Sequence, residues 1–412
     1  MRFCVITHVK HKMNSKGIFA YEPYVKEMNL WFKHVNAIQV VAPFTNEEVI
    51  NIDAAYVHDS EPNRDSSYNK DENSSKIESN VGLEIIKVPA FKLTSLRNTI
   101  LSIIKIPVIL LNIFKVMSWA EHIHIRCPGN MGLLGCIVQI LFPSKPKTIK
   151  YAGNWDPKSQ QPWSYRLQKW IISNSLLTKN CKVLVYGKWE NQSKNILPFF
   201  TASYSEKEIV DVKLRDFKYS KIINESDDDS KNKGTIRFIF VGALTQGKQP
   251  LVSIKIIHAL LKKGHNVRID VYGEGAEKHN LEHYIQKHQL YKQIFLHGNQ
   301  PKELVKKAYK KAHFLLFLSK SEGWPKVVAE SMFWGCVPIT SNVSCIPFML
   351  DVNERGSIID AEIKDGVETI EHYIDNEIDY SLKAKKAMNW SRQFTLERFE
   401  EEIGKLLSSF QK

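Results

Sequence analysis

The 412-residue chain has little of what marks several functional classes. Its six cysteines, Cys4, Cys127, Cys136, Cys181, Cys336 and Cys345, form no C-x-x-C pair, so the usual signatures of zinc sites, iron–sulfur clusters and dense disulfide frameworks are missing. Reduced thiols in a cytoplasmic protein are expected. No apolar run reaches the roughly 18 residues that a membrane span needs: the most apolar stretch, TILSIIKIPVILLNIFKVMSW at 99–119, is interrupted by Lys105, Pro107, Asn112 and Lys115. At the start, MRFCVITHVKHK, Lys10 and Lys12 arrive where the apolar core of a signal peptide would continue, so the mature chain is expected to begin at or near Met1. A Walker loop is absent, since Gly247-Lys248 is followed by Gln249. The dinucleotide fingerprint also fails: Gly273 and Gly275 fit G-x-G-x-x-G, but Lys278 takes the third place. Acid is scarce between residues 101 and 200, which hold 3 Asp/Glu against 13 Lys/Arg, whereas 201–412 hold 29 against 32. The net charge of +13 is therefore localised, and it points to an anionic partner: nucleic acid, an acidic membrane surface or a phosphorylated substrate.

What is present is an ordinary folded composition, 43% hydrophobic and 25% charged, long enough for two or three domains. The segments 3–9, 37–44, 122–126, 148–153 and 182–187 read as strands, with a loop from about residue 10 to Gly17 and helical patterns over 24–34 and 99–119, the latter a buried helix or one lying at a membrane interface. Residues 58–80 are polar and read as a solvated insertion. From 237 onward strands and helices alternate: strands at 237–243, 266–273, 294–298, 314–319 and 337–341, helices at 249–263, 277–288, 302–310 and 325–334. This pattern predicts an α/β protein of two doubly wound, Rossmann-like domains facing across a cleft, with ligands at the strand C-terminal ends. The expected division is 1–203, a polar linker 204–234, a second domain 235–389, and an amphipathic final helix in 390–412 that crosses back to the first domain. Asp227, Asp228 and Asp229 fall in the linker and read as solvated charge rather than a metal cluster.

The densest chemistry lies in SKSEGWPKVVAESMFWGCVPIT, 319–340. Pro325 suits a first helical turn, so the amides from Gly323 through Trp324, Lys326 and Val327 would sit at a helix N-terminus and form an anion site. Glu322, in the loop after a strand, can accept hydrogen bonds from hydroxyls, and Glu330, inside the helix, can grip a vicinal diol. The segment VGALTQGKQP, 241–250, offers an equivalent strand end with Gly242, Ala243 and Lys248, the lysine opening the next helix and able to neutralise charge on a phosphate leaving group. Two such ends in one domain point to a sugar-nucleotide diphosphate.

On these residues, the stretch from about 237 to 345 resembles the donor domain of the GT-B glycosyltransferases of family 4, the group 1 transferases. Their hallmark is two glutamates separated by seven residues, here Glu322 and Glu330, followed here by Gly335 and Val337-Pro338-Ile339. The resemblance implies that Glu322 contacts the transferred sugar and Glu330 the ribose hydroxyls. It also implies that Lys248 lies on the diphosphate, and that Gly273, Gly298, Asn299 and Gln300 line the nucleotide. Ala243 stands where the family has an arginine. In the first 200 residues only Gly17 represents the glycine-rich loop, and Gly153-Asn154-Trp155-Asp156 replaces a histidine that many relatives carry. Acceptor-side candidates are His8, Lys16, Gly17, Arg126, Asn130, Asn154 and Asp156.

The resemblance implies a retaining transfer that needs no metal or other cofactor, in which the leaving diphosphate helps to deprotonate the acceptor. The expected partners are a nucleoside-diphosphate sugar and a saccharide or lipid-linked saccharide acceptor, with an anionic membrane surface at the inner face of the plasma membrane. The alternatives are a GT-B sugar-nucleotide epimerase, a phosphorylase, for which no pyridoxal phosphate lysine is identifiable, or a non-catalytic basic protein binding membrane, or nucleic acid with Trp155, Trp163, Tyr165 and Trp170 as stacking aromatics.

Overall fold

In a computed structural model the described residues are 1–15, 17–50, 52–56, 76–78, 82–89, 96–217 and 234–410. Lys16, most of the insertion at 58–80 and Asp227–Asp229 lie outside them. The chain divides into two units, Met1–Phe199 with Glu400–Lys412, and Phe200–Phe399.

The strands of the first unit are β1 (Arg2–Ile6), β2 (His11–Asn14), β3 (Gly17–Tyr21), β4 (Ala37–Pro43), β5 (Asp53–Ala55), β6 (Lys76–Glu78), β7 (Leu83–Val88), β8 (His122–Cys127), β9 (Lys147–Tyr151), β10 (Cys181–Tyr186) and β11 (Ile196–Phe199). Among the described residues, eight form one sheet in the order β11-β10-β9-β8-β1-β4-β7-β6, parallel except for β6 against β7. Strands such as β1 and β8 are buried along almost their whole length, as parallel strands covered on both faces must be. The expected loop before Gly17 is instead a hairpin: β2 and β3 pair antiparallel, Asn14 opposite Gly17, and β5 adds to β3.

Helix α1 (Glu22–Phe32) buries Tyr24, Val25, Met28, Trp31 and Phe32, the spacing of one helical face. Helix α2 (Leu96–Trp119) covers the long apolar stretch, but a fully buried reading of it is wrong. Ile109, Ile113, Val116 and Met117 enter the core while Val108, Leu111 and Phe114 stay exposed, because the run is apolar all round and the sheet covers one side. Helices α3 (Asn130–Val138) and α4 (Trp163–Ser173) complete this layer, α3 packing against both α2 and α4. Among the described residues, no helix is long and apolar enough to cross a membrane.

The second unit carries β12 (Ile236–Val241), β13 (Val267–Tyr272), β14 (Ile294–Gly298), β15 (Phe314–Phe317), β16 (Val337–Ser341) and β17 (Ser357–Ile359). They form a parallel sheet in the order β14-β13-β12-β15-β16-β17. Its helices are α5 (Pro250–Lys262), α6 (Lys278–Lys287), α7 (Lys302–Lys311), α8 (Lys326–Phe333), α9 (Ile346–Leu350), α10 (Ile363–Asp375), α11 (Glu377–Ser391) and α12 (Leu396–Ser408), the last passing the division at Phe399. Phe238, Phe240, Ile269 and Val271 pack with Ile254, Ile257 and Leu281 in one core. The expected single helix near the C-terminus is two: α11 ends at Ser391, and Thr395, whose hydroxyl accepts from the Arg398 amide at 3.2 Å, starts α12 afresh. All six cysteines are free and buried.

Candidate active site

The second sheet reverses its order between β12 and β15; in an open parallel sheet, ligands bind in the crevice beyond the carboxyl ends at such a reversal. The loops leaving these two strands are stitched together. The Gly247 carbonyl accepts from the Lys320 amide at 2.8 Å and the Ser319 hydroxyl at 3.3 Å, and Gln249 donates to the Leu318 carbonyl at 2.7 Å. This stitching brings Lys248 Nζ onto Oε1 of Glu322, with the ammonium 5.2 Å from the Phe317 ring centroid. The Lys248 side chain keeps 26% of its surface exposed, so a charged ligand can reach it. Lys248 lies before the helix rather than opening it. Gln249 turns in the left-handed region, φ 50°, and α5 begins at Pro250, whose fixed φ suits a first turn.

Pro325 also precedes its helix. It caps α8, and its carbonyl takes the amides of Val328 and Ala329 at 3.0 and 3.5 Å, so the amides of the first turn lie outside the helix's own ladder and mark its positive end. The approach to this end is braced from the next loop, where the Ser344 hydroxyl and the Cys345 thiol both donate to the Gly323 carbonyl, at 2.9 and 3.2 Å. Trp324 is buried against Trp390 and Phe394, with ring centroids 6.2 and 5.8 Å away. Glu330, five residues into α8, is not part of the Lys248 pair; its Oε1 accepts from the Ser203 hydroxyl at 2.6 Å. Burial, with the Glu330 charge behind it, raises the pKa of the neighbouring Tyr309 well above the ordinary phenol value.

Gly242, Gly273 and Gly298 stack at the ends of β12, β13 and β14: the Gly242 amide donates to Tyr272 at 3.0 Å and the Gly273 amide to Gly298 at 2.9 Å. Gly273 has φ 138°, and a Cβ there would fall 1.9 Å from the Gly242 carbonyl oxygen, so only glycine fits. Ala243 and Asn299 are exposed beside this stack.

The first sheet reverses between β1 and β8. His8 follows β1 and lies exposed against the loop that opens α3 at Asn130; a Cβ on Gly129 would come within 2.9 Å of His8 Nδ1. Arg126, the penultimate residue of β8, does not present its side chain to an open crevice: it is 10% exposed, paired with Glu27 of α1 and 5.4 Å from the Tyr24 ring. Burial opposes its charge, but Glu27 together with Tyr186 and Tyr24 outweighs burial, so its pKa is raised. Asn154 and Asp156 hold the loop after β9, their Oδ1 atoms accepting the amides of Asp156 and Lys158 at 2.9 and 2.8 Å. Beside them Lys169 is pushed down to about 8 by burial, against the opposing charge of Asp156. Gly17 starts β3 and is buried.

Sequence reading missed Ser203, Ser344 and Cys345, which act across 127, 21 and 22 residues and carry no local pattern. Among the described residues, no group of three His, Cys, Asp or Glu side chains is placed to hold a metal ion.

Residues 222–393 match the family described as Glycosyl transferases group 1. No curated protein matches the chain. Solved structures share its fold over its whole length. Sucrose-phosphate synthase from Thermosynechococcus elongatus superposes with TM-score 0.61 at 14% identity, covering 100% of this chain and 99% of its own. HepE of Anabaena, solved with UDP and glucose, gives 0.63 at 11%, covering 99% and 100%. The lipopolysaccharide outer core galactosyltransferase WaaB gives 0.62 at 14%, covering 99% of each. The chain thus has the GT-B fold of these structures, with residues 222–393 matching the group 1 glycosyltransferase family.

Proposed function

We propose that the protein is a retaining, metal-independent glycosyltransferase that moves a sugar from a nucleoside-diphosphate sugar to a saccharide or lipid-linked saccharide acceptor. The observation that carries this reading is the Lys248–Glu322 pair at the reversal of the second sheet, beside the N-terminal end of α8. The diphosphate would lie on Lys248 and the α8 amides, which hold the charge that grows as the anomeric C–O bond breaks. Glu322 then turns to the hydroxyls of the transferred sugar, and Glu330 to the ribose diol. The acceptor oxygen bonds to the anomeric carbon on the face the diphosphate leaves, and its proton passes to a diphosphate oxygen, so no protein base is required. His8, Gly17, Asn130, Asn154 and Asp156 are assigned to the acceptor side.

The acceptor reading and a peripheral place on the membrane draw support from the layer α2, α3 and α4. None of these helices contains an Asp or Glu, while Lys105, Lys115, Val108, Leu111, Phe114, Trp163 and Trp170 are exposed on them. Cations and large apolar side chains without acids suit an anionic lipid surface. Loss of binding to anionic vesicles on changing Leu111 and Trp170 to Ser, with binding to neutral vesicles absent throughout, is the expected result. Wild type that ignores both vesicles removes the membrane part of the reading.

The donor reading is tested by calorimetry with UDP, GDP, ADP and CMP, without metal, against wild type, Lys248→Ala and Glu330→Ala. UDP leads the panel because HepE was solved with it. One nucleotide should bind wild type and lose about 100-fold in affinity in Lys248→Ala; turnover of its sugar should fall about 100- to 1,000-fold in the same variant. Equal binding by wild type and both variants would refute the site.

A further inference from the structure

Parallel strands in a doubly wound sheet are normally apolar on both faces, because helices cover both. β13 breaks this rule. Val267, Ile269 and Val271 enter the core, but the alternate residues Arg268, Asp270 and Tyr272 line an open groove of about 560 Å³ on the opposite face. Arg237 of β12 and His297 of β14 join them, and α7 closes one side with Leu304, Lys307, Ala308 and Lys311, a single helical stripe. The volume is that of a small-molecule site.

The charge in this groove is out of balance. It holds four cationic side chains, Arg237, Arg268, Lys307 and Lys311, and one acid, Asp270. That acid is already engaged: Arg268 donates to both its oxygens at 2.8 and 3.1 Å, and His297 lies 2.8 Å from Oδ1. Arg268 is further fixed over the Phe295 ring at 4.6 Å, yet its buried Nε has no hydrogen-bond acceptor. Lys307 and Lys311 are exposed and form no ion pair among the described residues. At the rim, Tyr272 and His297 stack at 4.6 Å. Arg268, held by packing with an unsatisfied guanidinium N–H, and Lys307 and Lys311, which form no ion pair among the described residues, make a site for an anion with several oxygens.

The groove reaches the nucleotide side only at its Gln300 end and includes neither Lys248 nor Glu322. Arg237 and Arg268 each stand five residues before Gly242 and Gly273, which puts them about 16 Å down the strands from the donor loops. We propose that the groove is a second anion site that takes a phosphate-bearing small molecule, such as a sugar phosphate or a nucleoside phosphate. The proposal does not rest on the donor reading.

The test is calorimetry of the full chain with inorganic pyrophosphate, comparing wild type, Lys307→Gln/Lys311→Gln and Lys248→Ala. The two lysines are exposed on one helix, so the double variant should keep the wild-type melting transition. Pyrophosphate should bind wild type, bind about tenfold more weakly to the double variant, and bind Lys248→Ala as it binds wild type at this site. Affinity should fall steeply with added salt. Binding lost in Lys248→Ala but kept in the double variant would assign the anion to the donor loops and overturn the proposal, as would a wild type that binds no pyrophosphate at millimolar concentration. Where binding follows the groove lysines, competition by a hexose phosphate or by a nucleoside monophosphate separates the two sources of the phosphate group.

Discussion

The two units are built on the same plan and spend their charges differently. Each is a doubly wound parallel sheet with one reversal, between β1 and β8 in the first and between β12 and β15 in the second. Near each reversal a cation meets a glutamate. In the first unit Arg126 and Glu27 lie inside the packing, their side chains 10% and 7% exposed. In the second, Lys248 and Glu322 lie on the strand-end loops, 26% and 10% exposed. The topology supplies a crevice in both cases, but only where the charged pair stands beyond the strand ends can a ligand compete for it. Where the pair is buried between helix and strand, it is consumed in holding α1 to the sheet.

The largest effect expected from this contrast is on stability. Glu27→Ala strands Arg126 without its counter-charge in the interior, and should lower the unfolding free energy by about 3–5 kcal/mol in denaturant titration. Lys248→Ala should cost about 1 kcal/mol, since water reaches Glu322 once the lysine is gone. A double variant, Glu27→Leu/Arg126→Met, should regain most of the loss and keep transferase activity. If the double variant is stable but inactive, Arg126 serves substrate and the contrast between the units fails.

A smaller effect concerns acid. In the first unit burial pushes His11 down to about 4, His122 to about 3 and His124 well below its ordinary value; in the second, His313 is pushed to about 4, also by burial. These folded-state values lie below the unfolded value of 6.5, so their contribution to stability is complete above that pH. As pH falls from 6.5 toward 4 the unfolded chain binds protons that the folded chain refuses, and stability is lost. At pH 5 His11, His122 and His313 each cost about 2 kcal/mol. Hydrogen exchange of the full chain at pH 7 and pH 5, corrected for intrinsic rates, should show β1, β4 and β8 losing more protection than β12, β13 and β15. Equal losses in both sheets would sink the prediction.

The second unit was far more legible in sequence than the first, for physical reasons. Its strands end in glycine, Phe238–Gly242 as an apolar run and Val267–Gly273 as an alternating one, and its two chemically loaded loops follow strands directly, so the pattern placed Glu322 and Lys248 at equivalent strand ends. The hairpin of β2 and β3 escaped because His11-Lys12-Met13-Asn14 has no apolar alternation; Lys12 is buried there only because Asp53 and the Glu48 carbonyl receive its ammonium, at 2.8 and 2.9 Å. Arg126 looked available because its partner Glu27 is 99 residues away. The exposed side of α2 escaped because an all-round apolar helix does not say which face the sheet will cover.

The smallest effect tests how the accessible site of the second unit is held ready. The Ser203 hydroxyl is bonded to Glu330 at 2.6 Å, and the Ser203 carbonyl accepts from Lys302, so the serine fixes the carboxylate in one position before any ligand arrives. If Glu330 grips the ribose, Ser203→Ala leaves the carboxylate free to rotate, and binding must then order it. The loss should be about 1 kcal/mol, the size of one net hydrogen bond, and should appear as a roughly fivefold rise in the donor KM with kcat unchanged. Ser203→Thr, which keeps the hydroxyl, should restore most of the affinity. A fall in kcat with constant KM would instead place Ser203 in the chemical step, and an unchanged KM would mean that Glu330 is ordered without it or does not touch the donor.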